Sequence, residues 1–199
     1  MERNMWLRIC GICGIITPIM TLGVMSLAIA SYPPFSWTEN ALSDLGVQEG
    51  ITAILFNSGL IIGGILTLIF ALGLLLYLQN MLGKIGAFIF ISDALALSAI
   101  GVFPENIKTA HYYASVAFFV LFPLAMFFVT ASFLQMRKKK MGLFTFLSAL
   151  FATTVWAIQW TIQFGPNVAI PEALSALSAA TWSIVLGYKM LMHSSHSSQ

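Results

Sequence analysis

The chain is 199 residues long, 59% hydrophobic and only 8% charged, with a net charge of +2 and a mean hydropathy of +0.91. Soluble domains carry about 25% charged residues, so these side chains cannot clothe a water-facing surface. Lipid is the remaining solvent, and it admits only helices or closed barrels because every backbone polar group must be satisfied internally.

The apolar runs are near-continuous over about 20 residues, whereas barrel strands alternate over about 10. The sequence therefore predicts an all-α, polytopic membrane bundle with six transmembrane helices, forming a single integral membrane domain over 1–199. So small a net charge gives no reason to expect nucleic acid.

The first predicted helix covers 6–31 and stops at Tyr32-Pro33-Pro34, where two prolines cannot continue it. Ala28-Ile29-Ala30 resembles a signal-peptidase site, but the apolar run is longer than an h-region of about 7–15 residues, so a retained helix is expected. Cys10 and Cys13 form a lone C-x-x-C with no further ligand motif, which reads as two small thiols packing on a helix.

The polar stretch 33–50 follows and is the longest interruption in the chain. Ser36-x-x-Glu39 has the form of a capping box, and Gly46 that of a helix C-cap. On a helical wheel Trp37, Ala41, Leu42 and Leu45 share one side, with Glu39, Asn40, Ser43 and Asp44 on the other. A short amphipathic helix at the membrane interface is predicted, its polar side roofing a cavity among the helix ends.

The second helix, 52–78, carries Asn57 about 9 Å from its start at ~1.5 Å per residue, and a Gly59-x-x-x-Gly63 packing motif. The third, 82–103, carries Asp93 about 16 Å from Pro104 along the axis. A carboxyl near the membrane midplane is costly and is a functional candidate by default. It is expected to hydrogen-bond a Ser, Thr or Gln of the fifth or sixth helix, or to couple a proton or ion.

Glu105 follows Phe103-Pro104, and His111 opens the fourth helix, 110–136, beside Tyr112 and Tyr113. Pro123 is expected to kink that helix. The fifth helix, 141–164, places Trp156, Gln159, Trp160 and Gln163 at i, i+3, i+4 and i+7, and so on one face. The sixth, 170–192, starts at Pro171-Glu172, where the helix dipole favours a carboxylate. Helix N-termini are also candidate anion sites that a phosphate head group could use. The polar tail 193–199 is expected to be a flexible cytoplasmic end.

Six crossings place Arg3, Arg8, Lys84, Arg137, Lys138, Lys139, Lys140 and Lys189 on one side, eight of the nine Lys and Arg residues. Lys108 falls opposite, with Glu39, Asp44, Glu49, Glu105 and Glu172. The positive-inside rule then expects a cell-membrane protein with both termini cytoplasmic.

Asp44, Glu105, His111 and Glu172 are thereby expected at one membrane face. Asp44 and His111 are the candidate acid/base pair, with Glu105 and Glu172 secondary. Ser43, Asn57, Trp156, Gln159, Trp160 and Gln163 are candidate binding residues. One histidine on this side excludes a three-histidine zinc centre. No cofactor is expected, and a sparse metal site at Asp44 and His111 stays open.

Asn-Ala-Leu-Ser-Asp-Leu-Gly (40–46), Phe56-Asn57-x-Gly59, and Gly101-Val-Phe-Pro-Glu105 followed by His111 together resemble the domain-of-unknown-function 998 family. These are six-helix membrane proteins of archaea and bacteria. Ile-Pro-Glu172 looks like the family's late acidic position, and the resemblance covers essentially the whole chain. The layout is more distantly similar to DRAM-type autophagy modulators and to lipid-remodelling proteins of glycosylphosphatidylinositol anchors, which carry a related Ser-Asp-x-Gly loop.

That similarity implies lipid handling at the outer leaflet. Ser43, Asp44, Asn57, Glu105, His111 and Glu172 carry over as motif positions without a mechanism; Asp93 and the face of the fifth helix rest on the residues alone. The leading expectation is an outward-facing polar pocket that binds or modifies a lipid or other amphiphile, with membrane lipids as partners. A small transporter or channel coupled through Asp93 is one alternative, and a non-catalytic membrane scaffold the other.

Overall fold

The computed structural model describes residues 2–196, with side chains to His193. Six helices are long and apolar enough to cross a membrane: α1 Glu2–Ala30, α2 Ile51–Tyr77, α3 Met81–Val102, α4 Lys108–Gln135, α5 Lys139–Thr161 and α6 Ala169–His196. No strand occurs among the described residues. The protein is a multi-pass membrane helix bundle.

Each helix packs on the next, and α6 returns to α1, so the six close into a ring. The connections 78–80 and 136–138 lie with both termini at one end, the terminal end. Residues 31–50, 103–107 and 162–168 form the other, the loop end.

Small residues set the closest helix approaches, because tail–tail hydrophobicity gives helices in lipid no reason to associate and close packing must do so. A Cβ on Gly11 would lie 2.8 Å from the carbonyl oxygen of Gly187, so α1 and α6 nearly touch near the terminal end. Gly59 and Gly63 sit against Val24 and Thr21 of α1. Cys10 packs on Gly73 of α2.

The terminal half of the ring is filled by side chains. Phe70, Phe90, Phe122 and Trp182 contact one another, with Trp182 fully buried and its Nε1 donating to Thr145 Oγ1 at 3.1 Å. Asn80 ties two ends together: its Oδ1 accepts from Gly83 N–H at 2.9 Å and Ser132 Oγ at 2.6 Å. The loop half is filled less completely, and the cavities lie there.

Three boundaries differ from expectation. The loop 33–50 holds no α-helix starting at Ser36; it makes turns and then a 3-10 segment, Leu42–Val47. Asn and Asp side chains divert the backbone here, since Asn40 Oδ1 takes the Ser36 N–H at 2.9 Å and Asp44 Oδ2 takes the Ala41 N–H at 3.1 Å. The Glu39 N–H still reaches Ser36 Oγ at 3.4 Å, one half of the expected capping box. α5 ends at Thr161, so Gln163 leaves the helix with φ +66°. α6 continues as helix to His196, into the expected flexible tail; 197–199 lie outside the described residues.

Candidate functional site

The loop end is assembled by side chains that hold the segment 36–47 down on the helix ends. Asp44 Oδ2 takes Asn40 Nδ2 at 2.7 Å as well as the Ala41 N–H, so this carboxylate stabilises its own loop. Asn57 donates from Nδ2 to the Gly46 carbonyl at 2.8 Å, pinning the loop onto α2. A Cβ on Gly46 would lie 2.7 Å from Asn57 Oδ1 and 3.0 Å from the Phe56 ring. Gly46 is therefore needed for close approach and does not act as a left-handed helix cap.

Glu172, buried in the first turn of α6, accepts the Leu42 N–H at 2.7 Å. The segment also pairs with the α5–α6 loop: Asn167 N–H donates to Thr38 O and Ala169 N–H to Asn40 O, each at 3.1 Å. With the Ala169 N–H taken by Asn40 and Glu172 turned onto Leu42, the α6 N-terminus is occupied from within.

The carboxylates converge. Ser43 Oγ donates to Glu105 Oε2 at 3.4 Å, and the Asp44 side chain lies within hydrogen-bonding range of Glu105. Glu172 lies in the electrostatic field of both. Burial is the main cause that pushes the Glu105 carboxyl above its ordinary range; the Asp44 carboxyl and its charge push the same way, and Ser43 opposes them. A neighbouring negative charge disfavours ionisation of Glu105, in the same direction as its burial.

His111 is buried in the same region but does not pair with Asp44. Its Nδ1 is 2.8 Å from Phe103 O, and a carbonyl can only accept, so Nδ1 carries the hydrogen. Ser115 Oγ stands 3.3 Å from Nε2. The expected contact between Asp44 and His111 is not made: Asp44 accepts from Asn40 and Ala41, and His111 is engaged with Phe103 O and Ser115. Among the described residues no group of three or more His, Cys, Asp or Glu is arranged to hold a metal ion, and none forms around Asp44 and His111.

Two cavities start from this cluster. The first is a groove of about 860 Å³ along the outer surface of the ring between α4 and α5. Its head is formed by Ser43, Glu105, Lys108, His111, Asn167 and Glu172, and its body by apolar side chains from Val116 down to Phe127. Trp156 and Trp160 line it on the α5 side, with Trp160 75% exposed. Phe119 stacks against Trp156 at 4.7 Å between ring centroids, and Trp156 Nε1 is buried with no hydrogen-bond partner.

The amides of the predicted α5 face do not join this wall. Gln159 is buried and supports the α5–α6 loop, donating to Asn167 O at 3.3 Å and accepting from Phe164 N–H at 3.0 Å. Gln163 is exposed beyond the helix end. Asn57 likewise serves the loop and lines neither cavity.

The second cavity is an interior chamber of about 360 Å³ inside the ring, with Ser43 and Glu172 near its top and Asp93 below. Asp93 is 2% exposed, and its Oδ1 has no partner, so the expected hydrogen bond to the fifth or sixth helix is not made at that atom. Ser43, Ser115, Phe119 and Glu172 border both cavities. Ser115 and Phe119 escaped the sequence reading, and Lys108 entered it only as the one cation on this side. The signal was present, since His111, Ser115 and Phe119 repeat at i, i+4 and i+8 on one face of α4.

Neither curated proteins nor solved structures match the chain. The sequence profile of the family described as "Protein of unknown function (DUF998)" matches residues 15–189, spanning α2 to α5 in full and most of α1 and α6 together with every side chain of the carboxyl cluster, and the chain belongs to that family.

Proposed function

We propose that the protein binds an amphiphile at the lipid-facing groove between α4 and α5, head group on the carboxyl cluster and hydrocarbon along α4. The groove itself carries this reading: an apolar trough of about 860 Å³ that ends on Ser43, Glu105, Lys108, His111 and Glu172. Ligand sites combine mostly apolar walls with a few convergent polar groups, and this one has that composition along the direction a lipid lies.

The unpartnered Trp156 Nε1 is a donor suited to an ester carbonyl just below a head group. Two carboxyls, Glu105 and Glu172, against one lysine at the groove head favour a head rich in hydroxyl or amine donors over a phosphate alone. Glu105, whose carboxyl burial pushes above its ordinary range, can hold or pass a proton at the head, which is the group needed if the amphiphile is also modified.

Charge segregation supports the cell membrane as the location, with the termini cytoplasmic and the cluster at the outer leaflet. Native mass spectrometry of protein purified in mild detergent tests the proposal. A co-purified amphiphile is expected on the wild type, and Val120→Trp, which fills the groove, is expected to lower its occupancy about tenfold, equivalent to about 1.4 kcal/mol. Unchanged occupancy in Val120→Trp overturns the reading.

A further inference from the structure

We infer that the interior chamber is a second ligand site, distinct from the groove, in which Asp93 recognises a hydrogen-bond donor on an otherwise hydrocarbon molecule. Five helices, α1, α2, α3, α4 and α6, enclose its 360 Å³. Most of the wall is apolar, from Leu22 and Met25 on α1 to Leu97 and Ile100 on α3. Phe90, part of the aromatic cluster around Trp182, also lines it.

Asp93 borders this space with an oxygen that nothing in the protein satisfies. Buried polar atoms are nearly always partnered, and a carboxyl inside a membrane is costly to keep. No Lys, Arg or His lines the chamber, and the only other titratable group on its wall is Glu172, turned onto Leu42.

On the α1 wall of the chamber, the hydroxyls of Thr17 and Thr21 are committed to carbonyls of their own helix at 2.7 Å and 2.9 Å. A carboxyl oxygen of this kind accepts a hydrogen bond whether or not its partner oxygen is protonated. The missing partner is therefore a donor, a hydroxyl or an amine, and the surroundings require the rest of the molecule to be hydrocarbon.

The route in is visible. α1 and α6 meet at Gly11 and Gly187 near the terminal end. Further toward the loop end Ser26 and Leu177 are both exposed and both line the chamber, so it opens sideways to lipid between these two helices. Entry is on a different flank of the ring from the α4–α5 groove.

The test is photolabelling of the full chain in nanodiscs with diazirine-bearing dodecanol, dodecylamine and dodecane, followed by peptide mass spectrometry. Dodecanol, dodecylamine or both are expected to label chamber-lining peptides of α1, α3 and α6 about tenfold more than dodecane, as one buried hydrogen bond allows. Which of them does so identifies the donor.

That excess is expected to disappear in Asp93→Leu and in Ala176→Trp, which fills the chamber. It should persist for dodecanol in Asp93→Asn, which keeps an accepting oxygen, and for either donor in Val120→Trp, where only the groove is filled. If Asp93→Leu does not fold, Ala176→Trp and Asp93→Asn decide. Equal labelling by the three probes, or a donor excess that survives Ala176→Trp, overturns the inference.

Discussion

Glu105 shows how one side chain takes its chemistry from neighbours far away in sequence. It follows α3, yet its carboxyl meets Ser43 and Asp44 from the first loop and shares a field with Glu172 of α6. Burial and the Asp44 charge raise its proton affinity in the folded protein above the ordinary 4.5. A raised folded value means that stability from this group is complete below the unfolded value and is lost as pH climbs through the folded one.

The loop end is thus expected to be tightest in mild acid and to loosen progressively as pH rises above about 4.5. Glu172, His111 and Lys108 face the same groove, so the wild-type curve is compared with Glu105→Gln, which removes one titrating member. Thermal unfolding in detergent from pH 4 to 9 should show a flatter profile for Glu105→Gln; superimposable profiles would exclude a titrating Glu105. The acid residues were legible in the sequence as a group on one membrane face. Their pairing was not, because Asp44 and His111 each have a local partner, Asn40 and Phe103 O, that no spacing rule reveals.

At the scale of elements, the helices follow from apolar length, and their contacts follow from small residues. Gly187 of α6 illustrates the second point, since a Cβ there would lie 2.6 Å from Gly11 O of α1. Gly187→Leu is expected to destabilise the bundle by about 1–3 kcal/mol through backbone displacement. Gly23 on the same α1 has open space around it, and Gly23→Ala is expected to stay within about 0.5 kcal/mol of wild type. Unfolding midpoints of the two variants measured side by side check both.

The element misread most was the loop helix. Its capping-box pattern is real at Ser36 and Glu39, but Asn40 and Asp44 offer the backbone hydrogen bonds that compete with a helix, and a 3-10 segment results. α5 was overextended for a related reason. Apolar residues continue to Phe164, while Gln159 folds the chain back by taking the Phe164 N–H.

For the whole molecule, six spans and the one-sided basic residues make a topology prediction. In a variant free of Cys10 and Cys13, single cysteines at Glu39 and Glu49 should react with a membrane-impermeant maleimide added to intact cells, and one at Lys140 only after lysis. Reaction at Lys140 before lysis would reverse the orientation.

Class, number of spans and charge asymmetry were all readable from the linear sequence, because lipid exposure and the translocation cost of cations act on each segment separately. The two cavities, the Asp44–Glu105 pair, the capture of Leu42 by Glu172 and the orphan oxygen of Asp93 came only with the tertiary structure. Each depends on distances between segments 60 to 130 residues apart, as the Ser43–Glu105 and Leu42–Glu172 bonds show with separations of 62 and 130. Ring closure sets those distances: each helix packs on the next and α6 returns to α1, with Gly11 and Gly187 in close approach, so segments far apart in the chain meet around the chamber.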